Sequence, residues 1–252
     1  MDEKLKVLVV DDESVITDAA RKMLSGEGFS VITASDGESA LSLLAAESPK
    51  IAFLDLMLPG LSGLELLKRI RRDYPAVVVI MMTGYSTLDN AIAFLKNGAL
   101  DYLPKPFEFE ELVGSAHRAG RFLSLEGTAR LPAGNVVGRC HFLSVSSWAK
   151  PHPDGSASLG LTELFGRMTG RIVSVDLPVP GNDVRQGSQL GQVVAFDELR
   201  HTVWSALSGR VVQVNPALRQ DRDVLNRDPM GDGWLVKVIP DSLETELANL
   251  TS

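Results

Sequence analysis

Five short, continuously apolar runs, separated by longer amphipathic segments, constrain the fold of the first half of this chain. A strand that is apolar on both faces has to be covered on both faces, and parallel strands need crossover connections long enough to hold a helix. The pattern therefore predicts an α/β fold, a doubly wound five-stranded parallel sheet built from five βα units. The runs are KVLVV (6–10), FSVIT (29–33), IAFL (51–54), VVVIMM (77–82) and YL (102–103).

The segments between these runs carry helical signals. Leu64, Leu67 and Ile70 recur at three-residue steps, which places them on one face of a helix. Asp36 lies three residues before Ser39, a spacing suited to an N-cap. In an N-cap, a carboxylate accepts hydrogen bonds from the first backbone N–H groups of the helix. We therefore expect a helix to begin directly after Asp36.

The composition and periodicity of the sequence change after the fifth unit. Residues 125–138 contain three glycines and a proline and show no sustained period, as is typical of a linker. The stretch that follows consists mainly of short strand-like runs between glycine and proline turns, which predicts a compact β domain. We therefore expect a first domain at residues 1–124 and a second at 139–252, the latter closed by an amphipathic helix over 241–250.

Length, charge and cysteine content limit the functions open to the chain. Its 252 residues suffice for two domains with cores of their own, and its net charge of −7 argues against a nucleic-acid-binding surface, because neutralising phosphates requires clustered lysine and arginine. The single cysteine, Cys140, cannot form an internal disulfide, and no apolar run approaches the roughly 20 residues that cross a bilayer. With no export signal at the acidic N-terminus, we expect a soluble cytoplasmic protein that binds neither nucleic acid nor membrane.

Polar side chains follow the predicted strands at the point where each strand ends. Asp11 and Asp12 follow the first strand, Asp55 the third, Thr83 the fourth and Lys105 the fifth. Because the carboxyl ends of parallel strands form the ligand crevice of such a sheet, we expect the three acids to converge there. Clustered carboxylates repel one another unless a cation lies between them, and hard oxygen ligands suit Mg²⁺. The sequence therefore predicts a magnesium site that could receive a phosphoryl group on a carboxylate.

The first domain resembles the receiver domain of two-component response regulators, a flavodoxin-like fold. The segments that carry the resemblance are VLVVDDE, FLDLMLPGLSGLELL, MMTGYS and DYLPKPF, in the family's order and spacing. The resemblance implies that Asp55 is the phospho-acceptor and that Asp12 and Asp55 hold Mg²⁺, assisted by Asp11 and by the backbone carbonyl of Met57. It further implies that Lys105 binds the phosphoryl oxygens and that the Lys105–Pro106 peptide bond is cis.

The resemblance also implies how the receiver would signal. Thr83 and Tyr102 correspond to the family's switch pair: Thr83 would be drawn toward the phosphoryl group, and the Tyr102 ring would then turn in from solvent. The expected phosphodonor is a sensor histidine kinase, and residues 85–123 would form the surface of a phosphorylation-dependent homodimer. We expect a signalling protein rather than an enzyme, with at most autophosphorylation from small donors and self-dephosphorylation.

The second domain resembles the H protein of the glycine cleavage system, which has the mainly β barrel-sandwich hybrid fold of lipoyl and biotinyl carriers. The resemblance lies in three segments, and the motif DPMGDGW in the third is its most specific part. These segments are SASLGLTELFGRMTGRIVSVDLPVPGNDVRQGSQLG (156–191), SALSGRVVQVNPAL (205–218) and LNRDPMGDGWLVKV (225–238).

The residue on which the carrier function of that family depends is missing. H proteins carry lipoate on a lysine at a hairpin tip, whereas this chain has no lysine between Lys150 and Lys237. The equivalent position falls near Asp197, Glu198 or Leu199, none of which can be lipoylated. We therefore expect no lipoate and interpret the domain as a module that binds an unknown protein. The candidate contact residues are Asp197, Glu198, Arg200 and His201.

Two alternatives remain open for the second domain. It could act as a phosphorylation-controlled decoy or regulator of glycine-cleavage or lipoate-handling enzymes, since the surface of the carrier fold could still dock onto them. It could instead sense a small ligand. Pull-down of partners with the second domain would discriminate between the first alternative and a signalling adaptor, and thermal-shift screening would test the second alternative.

Overall fold

The structure is a computed structural model that describes residues 4–84, 88–125, 140–221 and 223–251. The chain divides into two compact units, Met1–Leu123 and Ser124–Ser252. The predicted linker at 125–138 lies outside the described residues except for Leu125, the last residue of the helix Phe109–Leu125. No helix in the ranges given above is long and apolar enough to cross a membrane.

The first unit is a parallel sheet with strand order β2-β1-β3-β4-β5, which confirms the predicted doubly wound α/β fold. The central strands β1, β3 and β4 are almost wholly buried, as their continuous apolar runs predicted. In chain order the elements are β1 (Lys6–Val10), α1 (Ser14–Gly26), β2 (Ser30–Ala34), α2 (Gly37–Glu47), β3 (Ile51–Asp55), α3 (Gly63–Asp73), β4 (Val78–Thr83), α4 (Leu88–Lys96), β5 (Asp101–Pro104) and α5 (Phe109–Leu125).

Side-chain caps fix the start of two helices on this sheet. Asp36 is the N-cap of α2 and its carboxylate accepts a hydrogen bond from the Ser39 N–H at 2.8 Å, as predicted. Helix α3 begins with a capping box, in which the Ser62 N–H donates to Glu65 Oε2 at 3.1 Å and the Glu65 N–H donates back to Ser62 Oγ. The N-terminus of α3 is therefore held in place beside the end of β3.

The second unit is mainly β, as predicted. It contains a six-stranded sheet with order β10-β13-β14-β8-β7-β6 and a three-stranded sheet with order β12-β11-β9. The elements are β6 (His141–Leu143), β7 (Ser147–Pro151), β8 (Ala157–Leu161), α6 (Glu163–Thr169), β9 (Ile172–Asp176), β10 (Asp183–Val184), β11 (Gln189–Ala195), β12 (Arg200–Trp204), β13 (Gly209–Val214), α7 (Ala217–Gln220), α8 (Val224–Arg227), β14 (Val236–Pro240) and α9 (Leu243–Leu247).

Helices account for the main differences from the sequence prediction in this unit. Helix α6 was not anticipated, although Thr162 is a regular N-cap whose hydroxyl accepts the Phe165 N–H at 2.9 Å. Its two turns are too short for helical periodicity to be recognised, and both of its apolar residues in the first turn are buried. The closing helix α9 covers only part of the predicted 241–250, and its cap, Ser242, makes no side-chain hydrogen bond.

Candidate functional site

Four of the predicted site residues lie at the carboxyl end of the parallel sheet, each at or just after the end of a strand. Asp55 is the last residue of β3 and Thr83 the last of β4, while Asp11 follows β1 directly. The Lys105 N–H donates to the Thr83 carbonyl at 2.8 Å, which ties the residue after β5 to the end of β4. Asp11, Asp55 and Thr83 are buried, each less than 5% exposed. The sheet therefore holds these polar groups at one edge and shields most of them from water.

The Lys105 ammonium lies between two carboxylates. Its Nζ is 2.6 Å from Asp11 Oδ2 and 2.9 Å from Asp55 Oδ1, and the more exposed Glu13 carboxylate is 3.9 Å away. The other oxygen of Asp55, Oδ2, accepts the Met57 N–H at 2.8 Å. The Asp55 carboxylate is thus oriented through both of its oxygens at the mouth of the crevice.

Burial and charge shift the protonation equilibria of two of these groups. Burial raises the pKa of Asp11, and the Lys105 contact only partly offsets this effect. Burial by itself would lower the pKa of Lys105, but the carboxylates of Asp11 and Asp55 outweigh it, so the pKa of Lys105 is raised. Lys105 is therefore a permanent cation at neutral pH, and its charge is available to anionic oxygens that enter the crevice.

The expected convergence of three acids is only partly found. Asp11 and Asp55 meet at the Lys105 ammonium, whereas Asp12 is exposed, and the part of the chain that the structure describes contains no group of three His, Cys, Asp or Glu side chains able to hold a metal ion. Successive residues at a strand end direct their side chains differently, so adjacent acids need not share a cluster.

The residues present nevertheless fit Mg²⁺. This ion keeps several of its waters and is commonly bound by only one or two carboxylates. Asp11 Oδ2 is buried and has no hydrogen-bond partner of regular geometry among the described residues, its contact with Lys105 being an ion pair. The site therefore combines carboxylate oxygens with lone pairs that a divalent cation could use.

The predicted switch pair is in place, but the ring of Tyr102 differs from expectation. Thr83 is fully buried, and Tyr102 is only 2% exposed, with its ring centroid 6.4 Å from that of Phe94 on α4. The Tyr102 ring was expected in solvent before phosphorylation, but it is buried, because it packs against Phe94 of α4. Burial also raises the pKa of Tyr102 well above its usual value. The Lys105–Pro106 peptide bond is cis, as the resemblance implied.

A buried ion pair beside Tyr102 was not anticipated. Asp101 on β5 contacts Arg118 on α5, both less than 7% exposed, and the Tyr102 N–H donates to Asp101 Oδ1 at 2.8 Å. Arg118 Nη2 also donates to Ser115 Oγ at 3.0 Å. The spacing of Arg118 within an amphipathic helix gave no signal for burial, since arginine is normally read as exposed. Of the expected dimer surface at 85–123, residues 85–87 lie outside the described residues.

In the second unit, β11 and β12 form the hairpin that the sequence indicated. The strands pair antiparallel from Gln189 to Trp204, and the turn is closed by the Glu198 N–H, which donates to the Ala195 carbonyl at 3.0 Å. Glu198 has a φ of 67°, a left-handed conformation that non-glycine residues adopt mainly in tight turns. The predicted contact residues Asp197, Glu198 and Arg200 are exposed at or beside this tip.

His201 does not belong to that surface, so the prediction that it is a contact residue is wrong. Its side chain is 0% exposed, because residues along β12 alternate between the two faces of the sheet and His201 lies on the inner one. The residue that sequence reasoning missed is Phe196, which is 76% exposed at the tip. An apolar residue at the end of a strand-like run is normally expected in the core. The exposure of Phe196 could be inferred only if the position of the turn were known.

Comparison with known proteins agrees with both resemblances. The response regulator receiver domain family matches residues 7–117, and the glycine cleavage H-protein family matches residues 140–252. The DNA-binding transcriptional regulator NtrC of Salmonella typhimurium is 42% identical over 113 residues, which are 45% of this chain and 24% of NtrC. The nitrogen assimilation regulatory protein NtrX of Azorhizobium caulinodans is 41% identical over 126 residues, 49% of this chain and 28% of NtrX.

The chain thus spans about a quarter of the length of these curated relatives. Among solved structures, the receiver domain of NtrX from Brucella abortus is 39% identical, and the match covers 45% of this chain and 96% of that one with a TM-score of 0.43. Both halves of the chain are accounted for by the two families. Residues 7–117 are a response regulator receiver domain, and residues 140–252 are a glycine cleavage H-protein domain.

Proposed function

We propose that this chain is a two-component response regulator that accepts a phosphoryl group on Asp55 from a sensor histidine kinase in a Mg²⁺-dependent reaction. The observation that carries the proposal is the pairing of the Asp55 carboxylate, at the end of β3, with the Lys105 ammonium 2.9 Å away. A carboxylate nucleophile beside a fixed cation is the arrangement that phosphoryl transfer needs, since charge builds on the phosphoryl oxygens in the transition state.

In the proposed reaction, an oxygen of Asp55 attacks the phosphorus of the donor. The new O–P bond forms as the bond from phosphorus to the donor's histidine nitrogen breaks, and the electron pair stays on that nitrogen. The Lys105 ammonium, which contacts both Asp11 and Asp55, would then form an ion pair with a phosphoryl oxygen. When bound by Asp12, Asp55 and the Met57 carbonyl, with Asp11 assisting, Mg²⁺ would neutralise charge on the phosphoryl oxygens.

The proposed signal passes from Asp55 to the surface that includes α4, β5 and α5. The Thr83 hydroxyl would bond a phosphoryl oxygen, and the Tyr102 ring, already buried against Phe94, would be held inside rather than drawn in. We propose that residues 85–123 then mediate dimerisation. Sedimentation with and without beryllofluoride tests this step, since an unchanged mass would exclude it.

We further propose that the H-protein domain is a protein-binding output module that carries no lipoate. The support is the hairpin, which keeps its turn but places Asp197, Glu198 and Arg200 at the surface where a carrier needs lysine. The decoy alternative shares this support. Pull-down from cell extract with the full chain separates them: lipoate-handling or glycine-cleavage enzymes would favour the decoy, and other signalling proteins the adaptor. Loss of the captured protein on Glu198→Arg substitution would assign it to the tip.

The proposed acceptor can be tested by intact-mass analysis after incubation with Mg²⁺ and acetyl phosphate. We expect a single phosphoryl adduct that is absent in Asp55→Asn. The matched control is Asp73→Asn at the end of α3, an acid exposed on the surface, which should retain the adduct. An adduct of equal yield in Asp55→Asn would reject the proposal.

A further inference from the structure

The hairpin of the H-protein domain presents a large aromatic side chain to solvent. Phe196, the residue directly after β11, is 76% exposed, more than any other aromatic residue among those that the structure describes. It precedes the acidic pair Asp197 and Glu198, which are also exposed. Aromatic residues that are exposed in the free protein and rigidly held commonly supply the main binding energy of an interface.

Backbone hydrogen bonds hold this aromatic residue in one place. The Phe196 N–H donates to the Arg171 carbonyl at 2.9 Å, and the Ala195 N–H donates to the Leu199 carbonyl at 3.0 Å. The Leu199 N–H also donates to Asp197 Oδ1 at 3.3 Å. Because the turn is already ordered, binding through Phe196 would lose little further conformational entropy.

A cleft of about 560 Å³ lies in the same domain, between α6 and the segment around α8. Its apolar lining includes Leu225 and Pro229, which are buried, and Met230, which is half-buried and packs against the cluster of Cys140, Phe142 and Trp148. The one glycine of α6, Gly166, leaves the helix side of the cleft open, since an added Cβ there would meet nothing within 4 Å.

Arginine side chains border the cleft. Arg167, Arg171 and Arg227 are exposed at its rim, and the side chain of Arg171 is 70% exposed. Three acids, Glu163, Asp223 and Asp228, line the same cleft. Arg227 is held by Asp221 at 2.6 Å and by Asp223 at 3.4 Å, whereas Arg171 has only the longer contact with Asp223, at 3.6 Å. A guanidinium carries five N–H donors, so Arg171 keeps donors that a further carboxylate could use.

The protruding tip and the cleft are immediate neighbours, because Arg171 belongs to both. Its side chain lines the cleft, while its carbonyl accepts the Phe196 N–H. A protrusion and a complementary cavity that adjoin on one surface form a self-complementary patch, as an interface around a two-fold axis requires. Two copies related by such an axis would each insert the tip into the cleft of the other.

We propose that the H-protein domain self-associates in this way, with the Phe196 ring of each copy on the apolar floor of the other copy's cleft and the acidic pair Asp197 and Glu198 facing Arg171 on its rim. This inference rests on the proposed role of the domain in protein binding and names a second copy of the chain as the partner. It is independent of Asp55 and of the proposed dimer surface at 85–123.

The test is sedimentation equilibrium of the full chain over a wide concentration range, without any phosphoryl mimic. We expect the mass to rise from that of the 27.2 kDa monomer to that of a dimer and no further. Phe196→Ala should weaken association at least about tenfold, as loss of an interface anchor does. A monomer at every concentration, or a series of masses above the dimer, would overturn the proposal.

A control variant and a blocking variant test whether association depends on the tip and the cleft, rather than on exposed apolar side chains in general. Val179, 63% exposed, serves as the control, and Val179→Ala should leave the dissociation constant unchanged. Gly166→Leu should weaken association by filling the cleft, since its side chain would extend into open space. Equal effects of Phe196→Ala and Val179→Ala, or no effect of Gly166→Leu, would count against the cleft as the receptor.

Charge reversal gives the most specific arm of this test. Glu198→Arg and Arg171→Glu should each weaken self-association, because like charges then face each other across the two-fold axis. Mixing the two variants should restore a heterodimer, in which one contact has reversed charges and the other is native. Failure of the mixture to associate would reject the proposed pairing. If the unsubstituted chain stays monomeric while the Asp55 adduct still forms, the self-association fails and the proposed receiver function stands.

Discussion

Lys105 Nζ lies 2.9 Å from Asp55 Oδ1, at a point where its ammonium also meets Asp11 at 2.6 Å. The cation therefore balances two buried carboxylates that would otherwise repel each other. The same position lets it contact an oxygen added to Asp55. One side chain thus stabilises the resting crevice and is oriented for the charge that phosphorylation would bring.

Removing that ammonium should destabilise the first domain. Lys105→Met leaves the carboxylates of Asp11 and Asp55 facing each other in a buried site, so we expect the free energy of unfolding to fall by about 2 kcal/mol at pH 7. Added Mg²⁺ should recover part of the loss by supplying positive charge. Urea unfolding with and without Mg²⁺ measures both effects. The exposed Lys68→Met is the control, and an equal loss in both variants would contradict the account.

Gly63 allows the N-terminus of α3 to approach the acceptor strand. A Cβ at this position would lie 1.9 Å from the Asp55 carbonyl oxygen, so Gly63→Ala must push α3 or the end of β3 aside. We expect a loss of about 3 kcal/mol in the free energy of unfolding, together with slower phosphorylation. Gly26→Ala at the end of α1 is the matched control, since an added Cβ there meets nothing within 4 Å. If both variants lose the same stability, close approach at Gly63 is not the cause.

The capping box of α3 should make the stability of the first domain depend on pH. Hydrogen bonds from the Ser62 hydroxyl and N–H lower the pKa of Glu65 below its usual value. Because the folded-state pKa is the lower one, the bonds stabilise the fold above the unfolded-state pKa and this contribution is lost as the pH falls through the folded-state pKa. We expect NMR titration to show the Glu65 pKa rising toward its usual value in Ser62→Ala. Ser42→Ala, on α2, should leave it unchanged.

Adjacent residues of β12 should respond differently to truncation. His201 is 0% exposed and Arg200 is exposed, so His201→Ala should lower the free energy of unfolding by about 2 kcal/mol, whereas Arg200→Ala should change it by no more than about 0.5 kcal/mol. Thermal or urea unfolding of the two variants measures the difference. Similar losses would mean that the inner and outer faces of the hairpin are wrongly assigned.

The sequence predicted the parallel sheet accurately because its strands are apolar on both faces. The run at 6–10 coincides with β1, and that at 51–54 is extended by one residue, Asp55, in β3. The Asp36 cap was likewise predictable, since capping depends on local side-chain chemistry alone. These features follow from short stretches of sequence.

Other features depend on packing between distant residues and could not be predicted in the same way. Adjacent acids such as Asp11 and Asp12 look equivalent in the sequence, and only the structure shows that one is buried against Lys105 and the other exposed. The burial of Arg118 depends on its partner Asp101, 17 residues away. The exposure of Phe196 depends on where the hairpin turns.

Every step of the proposed signalling depends on Mg²⁺-dependent phosphorylation of Asp55. The most direct measurement is borohydride reduction of the phosphorylated full chain, which converts an aspartyl phosphate to homoserine, followed by peptide mass spectrometry. We predict homoserine at position 55 after incubation with acetyl phosphate and Mg²⁺, and none when Mg²⁺ is removed by chelation. Conversion at another aspartate instead of position 55, or equal conversion at position 55 without Mg²⁺, would contradict the account.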